Sequence, residues 1–433
     1  MAVRISQSDA DFEARFAAVL AAKREVAEDV DHAVRAIIAD VRVRGDAALV
    51  EHTEKYDRLA LTPEMLRISD VDIQAASESV PQDQRDALLL AHDRIAAFHR
   101  RQMPADDRYV DDAGVGLGIR WTALESVGLY VPGGTAAYPS SGLMNAVPAK
   151  VAGVERVVMV TPTPDGRINP LVLFAASIAG VDEVYRVGGA QAVAALAYGT
   201  ESIAPVAKIM GPGNAYVAAA KRQVFGTVGI DMIAGPSEVL VVADGDNDPD
   251  WIASDLLAQA EHDTAAQSIL ITDSVDLADR VAAAVDRQVA TLPRRDIAIV
   301  SWRDFGTIIV VRSLTAAMEL ANRIAPEHLE LAVADPEALL TKVRNAGAVF
   351  LGRHTPEVIG DYVGGPNHVL PTARSARFSS GLSVYDFVKR TTLLRLDADQ
   401  LRALAPAAIT LAEAEGLDAH ARSVAIRLNL QDR

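Results

Sequence analysis

The sequence predicts an α/β fold in which two parallel-sheet units are flanked by helical extensions at both ends of the chain. From Val127 to about residue 350, short apolar runs alternate with alanine-rich helical segments, which is typical of parallel strands joined by right-handed crossovers. Apolar residues make up 50% and charged residues 23% of the 433 residues. This is globular composition, and the length favours about three domains over one.

The first 104 or so residues are predicted to be mostly helical. Pro81–Gln102 is predicted as a third long helix, with Pro81 and Asp83 suited to its first turn. Tyr109–Leu124 alternates and contains three glycines, which indicates a hairpin or a pair of short strands. From about Ser383 the chain is predicted to be helical again, through Ala398–Ala414 and Ala419–Leu428.

The first predicted α/β unit runs from Val127 to about residue 235. Its strands are Val127–Val131, Val157–Val160, Val184–Val187 and Lys208–Met210, with helices around Leu143–Val151, Leu171–Ile178, Ala190–Leu196 and Tyr216–Val224. The pattern repeats after Gly235. The second set of strands is Val239–Val242, Ser268–Ile271, Ile308–Val311, Leu329–Ala332 and Ala348–Leu351, with helices around Trp251–Gln259, Leu277–Val289, Ala316–Ile324 and Leu339–Asn345.

Charge and composition exclude several classes of protein. Lys and Arg total 42 and Asp and Glu total 58, a formal charge of -16, so a general nucleic-acid binder is disfavoured. Cysteine is absent, which excludes disulfides, thiolate metal ligands and a cysteine nucleophile. Without an apolar run of 18 residues or a signal-like N-terminus, we expect a cytoplasmic protein with no membrane partner.

Three glycine-rich turns follow strands of the first unit and lead into helices: Tyr130–Gly134, Val187–Gln191 and Met210–Asn214. Backbone N–H groups at such helix starts suit phosphates, and ligands bind at the carboxyl ends of parallel strands. None of the turns reads G-x-G-x-x-G. Each alone is typical of a plain strand-to-helix turn, and the three together leave a dinucleotide site and plain turns equally open.

The stretch Ile233–Asp263 predicts a turn, a buried strand, an acidic loop and a helix ending on Gln259, Glu261, His262 and Asp263. Gln259 and His262 are three apart and would share a helix face. An amide oxygen and an imidazole there would form half of a metal site, although a hydrogen-bonded structural role is equally open. Zinc or a similar divalent ion suits a mixture of His, Asp and a neutral oxygen.

Candidates for the other half lie further along the chain, and five of the nine histidines occur from His262 onward. Glu327 and His328 lie between a helix and a strand, where a carboxylate and an imidazole can act as separate acid/base groups. Asp361 lies beside a glycine-rich loop, and Glu415 and His420 flank Gly416. Spacing alone does not pair these residues with Gln259 and His262.

Six segments, taken together and in order, resemble the histidinol dehydrogenase family. They are MGPGNAYVAAAK, AGPSEVLVVAD, DLLAQAEHD, APEHLEL, VGGPNHVLPT and ARFSSGLSVYDFVKRTT. The resemblance runs from about residue 10 to 430, essentially the whole chain. One departure is Ala373, which stands where glycine is expected after LPT.

The resemblance implies two similar but incomplete Rossmann-like units in an intertwined homodimer. The implied division is an N-terminal helical arm at 1–25, a discontinuous α/β domain at 26–129 with 237–381 that carries most of the zinc and catalytic residues, an NAD-binding α/β domain at 130–236, and a C-terminal helical extension at 382–433 that contributes to the partner's active site.

The implied reaction is the oxidation of L-histidinol through L-histidinaldehyde to L-histidine, the last two steps of histidine biosynthesis, with two NAD+ used in turn. One Zn²⁺ per subunit is implied, and it would orient the substrate rather than perform the redox step. Its ligands would be Gln259, His262, Asp361 and, from the other protomer, His420 of the partner subunit. The active sites would therefore be shared across the dimer.

The resemblance also assigns roles to the remaining candidates. His328 would accept the proton in both oxidations and Glu327 would activate water to hydrate the aldehyde. The implied NAD contacts are Tyr130, Gln191 and Asn214, one in each glycine turn. The implied substrate contacts are Ser237, His368 and Glu415, together with the four zinc ligands and the pair Glu327 and His328.

The absence of cysteine constrains the second oxidation independently. Many aldehyde oxidations proceed through a cysteine thiohemiacetal, and that route is closed here. A hydrate is then required, and a carboxylate beside the histidine suits its formation. Two alternatives to this reading are a zinc-dependent hydrolase on an α/β scaffold, in which the glycine turns are structural, and a non-catalytic protein whose metal links a dimer.

Overall fold

The computed structural model describes residues 2–22, 28–133, 138–233 and 235–430. The chain divides into two compact units, the first made of residues 1–102 and 124–387 and the second of 103–123 and 388–433. The predicted division into an arm, two α/β domains and an extension stays a prediction, and residues 23–25 of the arm and 431–433 of the extension lie outside the described residues.

The N-terminal part of the first unit is helical, as predicted, after one short strand. Its elements are β1 (Val3–Ser6), α1 (Phe12–Ala21), α2 (Glu28–Arg44), α3 (Asp46–Asp57), α4 (Asp70–Glu78) and α5 (Gln82–Arg100). In α5, Ala91, Ile95 and His99 are buried, at the three-to-four-residue spacing that places side chains on one helix face. His99 is bonded through Nδ1 to the Ile95 carbonyl at 2.8 Å, a structural role.

A five-stranded parallel sheet forms the first α/β half of this unit. Its elements are β4 (Ser126–Tyr130), α6 (Pro139–Val151), β5 (Arg156–Val160), α7 (Pro170–Ile178), β6 (Glu183–Tyr185), α8 (Gly189–Tyr198), β7 (Lys208–Met210), α9 (Ala215–Val224) and β8 (Gly229–Ile230). The strand order is β6-β5-β4-β7-β8, with every pairing parallel.

A six-stranded parallel sheet forms the other half. Its elements after β1 are β9 (Glu238–Ala243), α10 (Pro249–Ala260), β10 (Gln267–Thr272), α11 (Val275–Val289), α12 (Arg295–Phe305), β11 (Thr307–Val310), α13 (Leu314–Ile324), β12 (His328–Ala332), α14 (Pro336–Leu340), β13 (Ala348–Leu351) and α15 (Glu357–Tyr362). The order is β1-β11-β10-β9-β12-β13, again with every pairing parallel.

The two sheets share one topology. In each, the first strand of the run is central, the second and third lie on one side and the fourth and fifth on the other. Burial on both faces explains their composition, since all six residues of β9 and of β10 are buried and central parallel strands are expected to read as continuous apolar runs. The predicted parallel α/β architecture is therefore confirmed, and β1 is an added edge strand that the sequence analysis missed.

The second unit consists of an antiparallel sheet and a pair of helices. Its elements are β2 (Asp107–Val110), β3 (Gly116–Ala123), β14 (Val388–Arg395), α16 (Ala398–Ala414) and α17 (Asp418–Ala425), with strand order β14-β3-β2. The hairpin predicted in Tyr109–Leu124 is confirmed.

Two secondary-structure predictions were wrong. The chain after Ser383 is not helical throughout, because one short 3₁₀ helix at Val384–Asp386 is followed by Val388–Arg395, which pairs along its whole length with β3 and contains the β-branched residues Thr391 and Thr392 that suit a strand. The helix predicted at Leu339–Asn345 is only the short α14, which ends at Leu340. Among the described residues, no helix is both long and apolar enough to cross a membrane.

Candidate active site

A pocket of about 680 Å³ lies within the first unit. The residues that line it come from both sheets: Pro132, Tyr138, Ser141, Gly211, Pro212, Gly213, Asn214, Ala215, Ala218, Lys221, Asp231, Met232, Gly235, Pro236, Ser237, His262, Asp263, Ala265, Glu327, His328, Asp361, His368, Val369, Leu370 and Thr372. The five-stranded sheet contributes the carboxyl ends of its strands. The six-stranded sheet contributes segments that precede β9, β10 and β12, and these form its amino edge.

The third glycine turn forms one wall of the pocket and ends in a capped helix. Asn214 is the N-cap of α9, and its Oδ1 accepts hydrogen bonds from the backbone N–H groups of Tyr216 at 3.0 Å and Val217 at 3.2 Å. The first N–H groups of a helix carry partial positive charge. This wall therefore favours an anionic ligand group.

Of the other two glycine turns, the first contributes Pro132 to the pocket lining. Tyr130 and Gln191 are buried and are not among the pocket-lining residues. The Tyr130 hydroxyl accepts a hydrogen bond from the Gly189 N–H at 3.0 Å, and burial raises the pKa of Tyr130 to about 12. Their assignment as NAD contacts stays a prediction, and Gly134 of the first turn lies outside the described residues.

His328 and Glu327 lie on the opposite wall, where α13 ends and β12 begins. A single residue of β9 holds both, since the Glu238 N–H donates to Glu327 Oε2 at 2.8 Å and the His328 Nδ1–H donates to the Glu238 carbonyl at 3.1 Å. That second bond assigns the proton to Nδ1. His328 Nε2 then carries the lone pair and lies 3.5 Å from Asp361 Oδ1.

Burial governs the electrostatics of this pair. Burial raises the pKa of Glu327 to about 7, against the lowering effect of His328 and the Glu238 N–H. Burial alone would lower the pKa of His328, but the carboxylates of Glu327, Glu357 and Asp361 outweigh it and raise that pKa well above its ordinary value. Glu327 is therefore able to exchange a proton near neutral pH, and the raised pKa of His328 makes its ring a strong proton acceptor.

Three further acidic residues extend inward from His328. Glu357 Oε2 lies 3.7 Å from His328 Nδ1, and the Glu357 N–H donates to Glu330 Oε1 at 2.7 Å. The Glu330 side chain is hydrogen-bonded in turn to Asp255 of α10. Burial raises the pKa of Glu357 to about 8 and that of Asp255 to about 6, and it raises the pKa of Glu330 well above its ordinary value.

The predicted metal ligands of this unit are Gln259, His262 and Asp361. The prediction that Gln259 and His262 share a helix was only partly right, because α10 ends at Ala260 and His262 follows in a turn whose N–H donates to the Gln259 carbonyl at 3.2 Å. Burial raises the pKa of Asp361, but hydrogen bonding to His328 and the nearby histidines reverse this and lower it.

These residues fit a divalent ion in donor chemistry. Gln259 is buried, and its amide oxygen is an atom that a divalent ion can bind; its Nε2, which has no hydrogen-bond partner among the described residues, is a hydrogen-bond donor and not a metal ligand. The pocket walls desolvate His262 and lower its pKa, and the residue is exposed where it lines the pocket. One amide, one imidazole and one carboxylate leave a tetrahedral ion one ligand short.

No group of three or more His, Cys, Asp and Glu residues with metal-binding geometry occurs in the part of the chain that the structure describes. The predicted set agrees with this finding, because within the first unit it contains only two such residues. Glu415 and His420 belong to the second unit, where both are exposed. Their assignment to substrate and metal stays a prediction.

Two of the predicted substrate contacts, His368 and Ser237, lie in the pocket wall. His368 Nδ1–H donates to the Asp361 carbonyl at 2.9 Å, and His368 Nε2 is 3.5 Å from Ser141 Oγ. Burial lowers the pKa of His368, which favours the neutral ring. Ser237 lines the pocket just before β9.

The sequence analysis missed several polar residues of the site. Glu330 was signalled by its position, since it is two residues from His328 in the strand HLELA and so lies on the same strand face. Lys221 and Asp231, an ion pair in the pocket wall, and the backbone role of Glu238 had no comparable signal. Each depends on contacts between segments that only the fold brings together.

Comparisons with known proteins agree with this geometry. The sequence model of the family described as histidinol dehydrogenase matches residues 20–428. The chain is 70% identical over 429 residues to a histidinol dehydrogenase of Agrobacterium fabrum, covering 99% of each chain. It is 69% identical over 430 residues to that of Mesorhizobium japonicum, covering 99% of this chain and 100% of the relative.

A solved structure is also similar. The crystal structure of histidinol dehydrogenase from Elizabethkingia anophelis superposes with a TM-score of 0.94 at 36% identity, over 99% of this chain and 98% of that one. These comparisons do not support the alternatives of a zinc-dependent hydrolase or a non-catalytic metal-linked dimer.

Proposed function

This chain belongs to the histidinol dehydrogenase family, and we propose that its pocket holds NAD+ on one wall and zinc with L-histidinol on the other. It is an oxidoreductase of histidine biosynthesis, and its substrate is L-histidinol. The observation that carries the proposal is that the capped turn at Asn214 and the pair Glu327 and His328 line one pocket. A dehydrogenase needs these two features side by side.

The zinc ligands of the first unit would be Gln259, His262 and Asp361, whose donor atoms fit the ion. When bound, zinc would hold the imidazole and amino nitrogens of L-histidinol, and NAD+ would accept the hydride. His328 takes the proton that the alcohol loses. In the neutral ring, its Nδ1–H bond to the Glu238 carbonyl leaves Nε2 as the nitrogen that takes up this proton in both oxidations.

Glu327 acts between the two oxidations. The aldehyde must add water before a second hydride can leave, and no cysteine is present to offer a covalent route. Burial raises the pKa of Glu327 to about 7, which suits a general base that removes a proton from water at neutral pH. Ser237 and His368 orient the substrate on the same wall.

We further propose a homodimer in which His420 of the partner subunit supplies the fourth zinc ligand, and Glu415 of the partner subunit contacts the substrate. Exposed apolar side chains on the second unit support an interface: Leu394 is 68% exposed, Leu411 63% and Ile426 62%. Apolar side chains mark protein contacts where they form a contiguous patch, and these three lie on β14, on α16 and just after α17. A cytoplasmic location remains a prediction.

The test is NADH production from L-histidinol, with and without a chelator and with zinc added back. We expect two NADH per L-histidinol, loss of activity with the chelator, and recovery with zinc. His354→Asn, a histidine away from the pocket, is the control and should behave as wild type. NADH formation that is indifferent to thorough zinc removal would contradict the metal's role.

Subunit sharing is tested by mixing two inactive variants. His420→Asn and His262→Asn each remove one ligand, but a mixed dimer contains one site that retains all four. We expect mixing of equal amounts to restore about a quarter of the wild-type activity per site, since random exchange makes about half of the dimers mixed and each mixed dimer has one complete site of its two. No recovery after verified subunit exchange would contradict a shared site.

A further inference from the structure

The ion pair Lys221–Asp231 lies in the pocket wall at the third glycine turn, apart from the acid/base pair and the predicted metal ligands. Lys221 is on α9 and Asp231 directly follows β8. Their side chains are 3% and 1% exposed, and the ammonium contacts the carboxylate. A buried ion pair is weak evidence for stability, because well-packed apolar residues often replace one without loss. Its presence therefore calls for another explanation.

The pair holds one residue of the turn from both sides. Lys221 Nζ donates to the Gly211 carbonyl at 2.9 Å, and the Gly211 N–H donates to Asp231 Oδ2 at 2.7 Å. Both backbone groups of Gly211 are thus fixed by one pair of opposite charges. Since each charge also neutralises the other, the clamp adds no net charge to the pocket.

Gly211 lies where the turn meets β4. Its φ is +104°, and a Cβ there would come within 2.2 Å of the Tyr130 carbonyl oxygen, so the turn packs directly on the end of β4. Three residues later Asn214 begins α9. The orientation of the Gly211 peptide therefore determines how the N-terminus of α9 and the Asn214 side chain are directed toward the pocket.

The sequence around Lys221 argues against a packing role. Its neighbours on the buried face of α9 are Val217, Ala218, Ala220 and Val224, where an apolar residue would fill the same space. A lysine there is explained by its bond to the Gly211 carbonyl. The same helix starts at the wall that accepts the anionic ligand.

We propose that Lys221 and Asp231 are positioning residues that hold the third glycine turn in the conformation that binds the dinucleotide. This inference rests on the proposed function, which puts NAD+ at that turn. Neither residue needs to touch the cofactor. Their effect is expected on cofactor affinity, with little effect on the opposite wall.

The main test is the double variant Lys221→Met with Asp231→Leu, which removes both charges together and leaves no unpaired one. NADH binding is measured by fluorescence titration. We expect the dissociation constant to rise about tenfold, or about 1.4 kcal/mol, with the KM for NAD+ rising similarly. The thermal midpoint, the bound zinc and the KM for L-histidinol should stay close to wild type.

A matched control is Arg156→Met with Glu183→Leu. That ion pair joins the first residues of β5 and β6, at the amino edge of the same sheet. We expect the control variant to keep NADH affinity within about twofold of wild type, since distant independent sites do not couple.

Asn214→Ala tests whether NADH binds at the third glycine turn. Wild-type NADH affinity in Asn214→Ala would contradict the proposed function itself.

The result that overturns the inference is different. It is wild-type NADH affinity in the folded Lys221→Met, Asp231→Leu protein while Asn214→Ala binds weakly. If the double variant does not fold, Asp231→Asn keeps the shape and a hydrogen-bond acceptor, and weakened NADH binding by that folded protein supports the clamp. Failure of Asp231→Asn to fold would also overturn it, since the pair would then serve the fold and not the turn.

Discussion

The five-stranded and six-stranded sheets have the same strand order but face the pocket with opposite edges. The first presents carboxyl ends, where helices such as α9 begin, and the second presents its amino edge, where α10 and α13 end. Helix N-termini carry partial positive charge and C-termini partial negative charge. The same topology therefore supplies two different walls. The carboxyl edge of the five-stranded sheet favours an anion, and the amino edge of the six-stranded sheet favours a cation.

The chemistry of the two walls follows this difference. The first relies on backbone groups, a helix cap and glycines that allow close approach. The second carries Glu327, His328, Asp361 and His262, with Glu330 and Glu357 behind them. The backbone wall is suited to hold a cofactor, and the side-chain wall is suited to move protons and to bind a metal.

Loss of the base on the side-chain wall should have the largest effect on turnover. His328→Asn removes the group that accepts the proton in both oxidations, and we expect kcat to fall about 10²- to 10⁴-fold with either L-histidinol or L-histidinaldehyde. Bound zinc and the NADH dissociation constant should be unchanged, as measured by metal analysis and fluorescence titration. Full turnover by this variant would contradict the assignment, and His354→Asn is the control.

Glu327→Gln should separate the two oxidations. Water activation is required only for the second, so we expect kcat for L-histidinaldehyde to fall about 10²-fold or more, with a smaller loss in single-turnover oxidation of L-histidinol. Rapid-mixing measurement of the first and second NADH distinguishes the steps. Equal losses in both would argue against the water-activating role.

The buried acids next to His328, which are Glu357, Glu330 and Asp255, should lower the free energy of unfolding more at high pH than at low pH. Burial raises the folded-state pKa of Glu330, and the nearby carboxyls of Asp255 and Glu357 raise it further. Beyond Glu357, the next charged group is the His328 ring. When folding raises the pKa of a carboxyl, the contribution of that group to stability is fully present below the unfolded pKa of about 4.3. It is lost as the pH rises through the folded pKa. Glu330→Gln should therefore gain stability over wild type as pH rises.

Chemical denaturation at pH 4 and pH 8 measures this difference. Each unit of pKa shift corresponds to about 1.4 kcal/mol. Glu319→Gln, at an exposed position of α13, should change stability by less than about 0.5 kcal/mol at either pH. The same gain for Glu330→Gln at both pH values would show that packing and not ionisation is responsible.

The smallest expected effect concerns Ala373, the one noted departure from the family pattern. Its φ is +52°, a left-handed conformation that disfavours residues with a Cβ. Ala373→Gly should raise the free energy of unfolding by up to about 1 kcal/mol, as measured by denaturant titration. Ala334→Gly is the control, because Ala334 lies in a bend and has no positive φ. This variant should lower the free energy of unfolding. A loss of stability in Ala373→Gly would contradict the strain argument.

The sequence predicted the parallel architecture because buried strands such as Val239–Val242 carry their own signal in apolar residues. It did not predict β14, whose polar residues become a strand only by pairing with β3. Similarly, the motif around Glu327 and His328 was recognisable locally, whereas the Glu238 bonds that orient this pair arise from strand pairing. The opposite edges of the two sheets also follow from tertiary packing, and no local pattern encodes them.

The division of labour between the two walls is tested most directly by the NADH dissociation constant before and after zinc removal. If the backbone wall holds the dinucleotide by itself, chelator-treated protein should bind NADH within about twofold of the zinc-loaded protein, since independent sites do not couple. Asn214→Ala should bind NADH about tenfold more weakly with its zinc retained. A loss of NADH affinity on zinc removal, comparable to that in Asn214→Ala, would contradict the account.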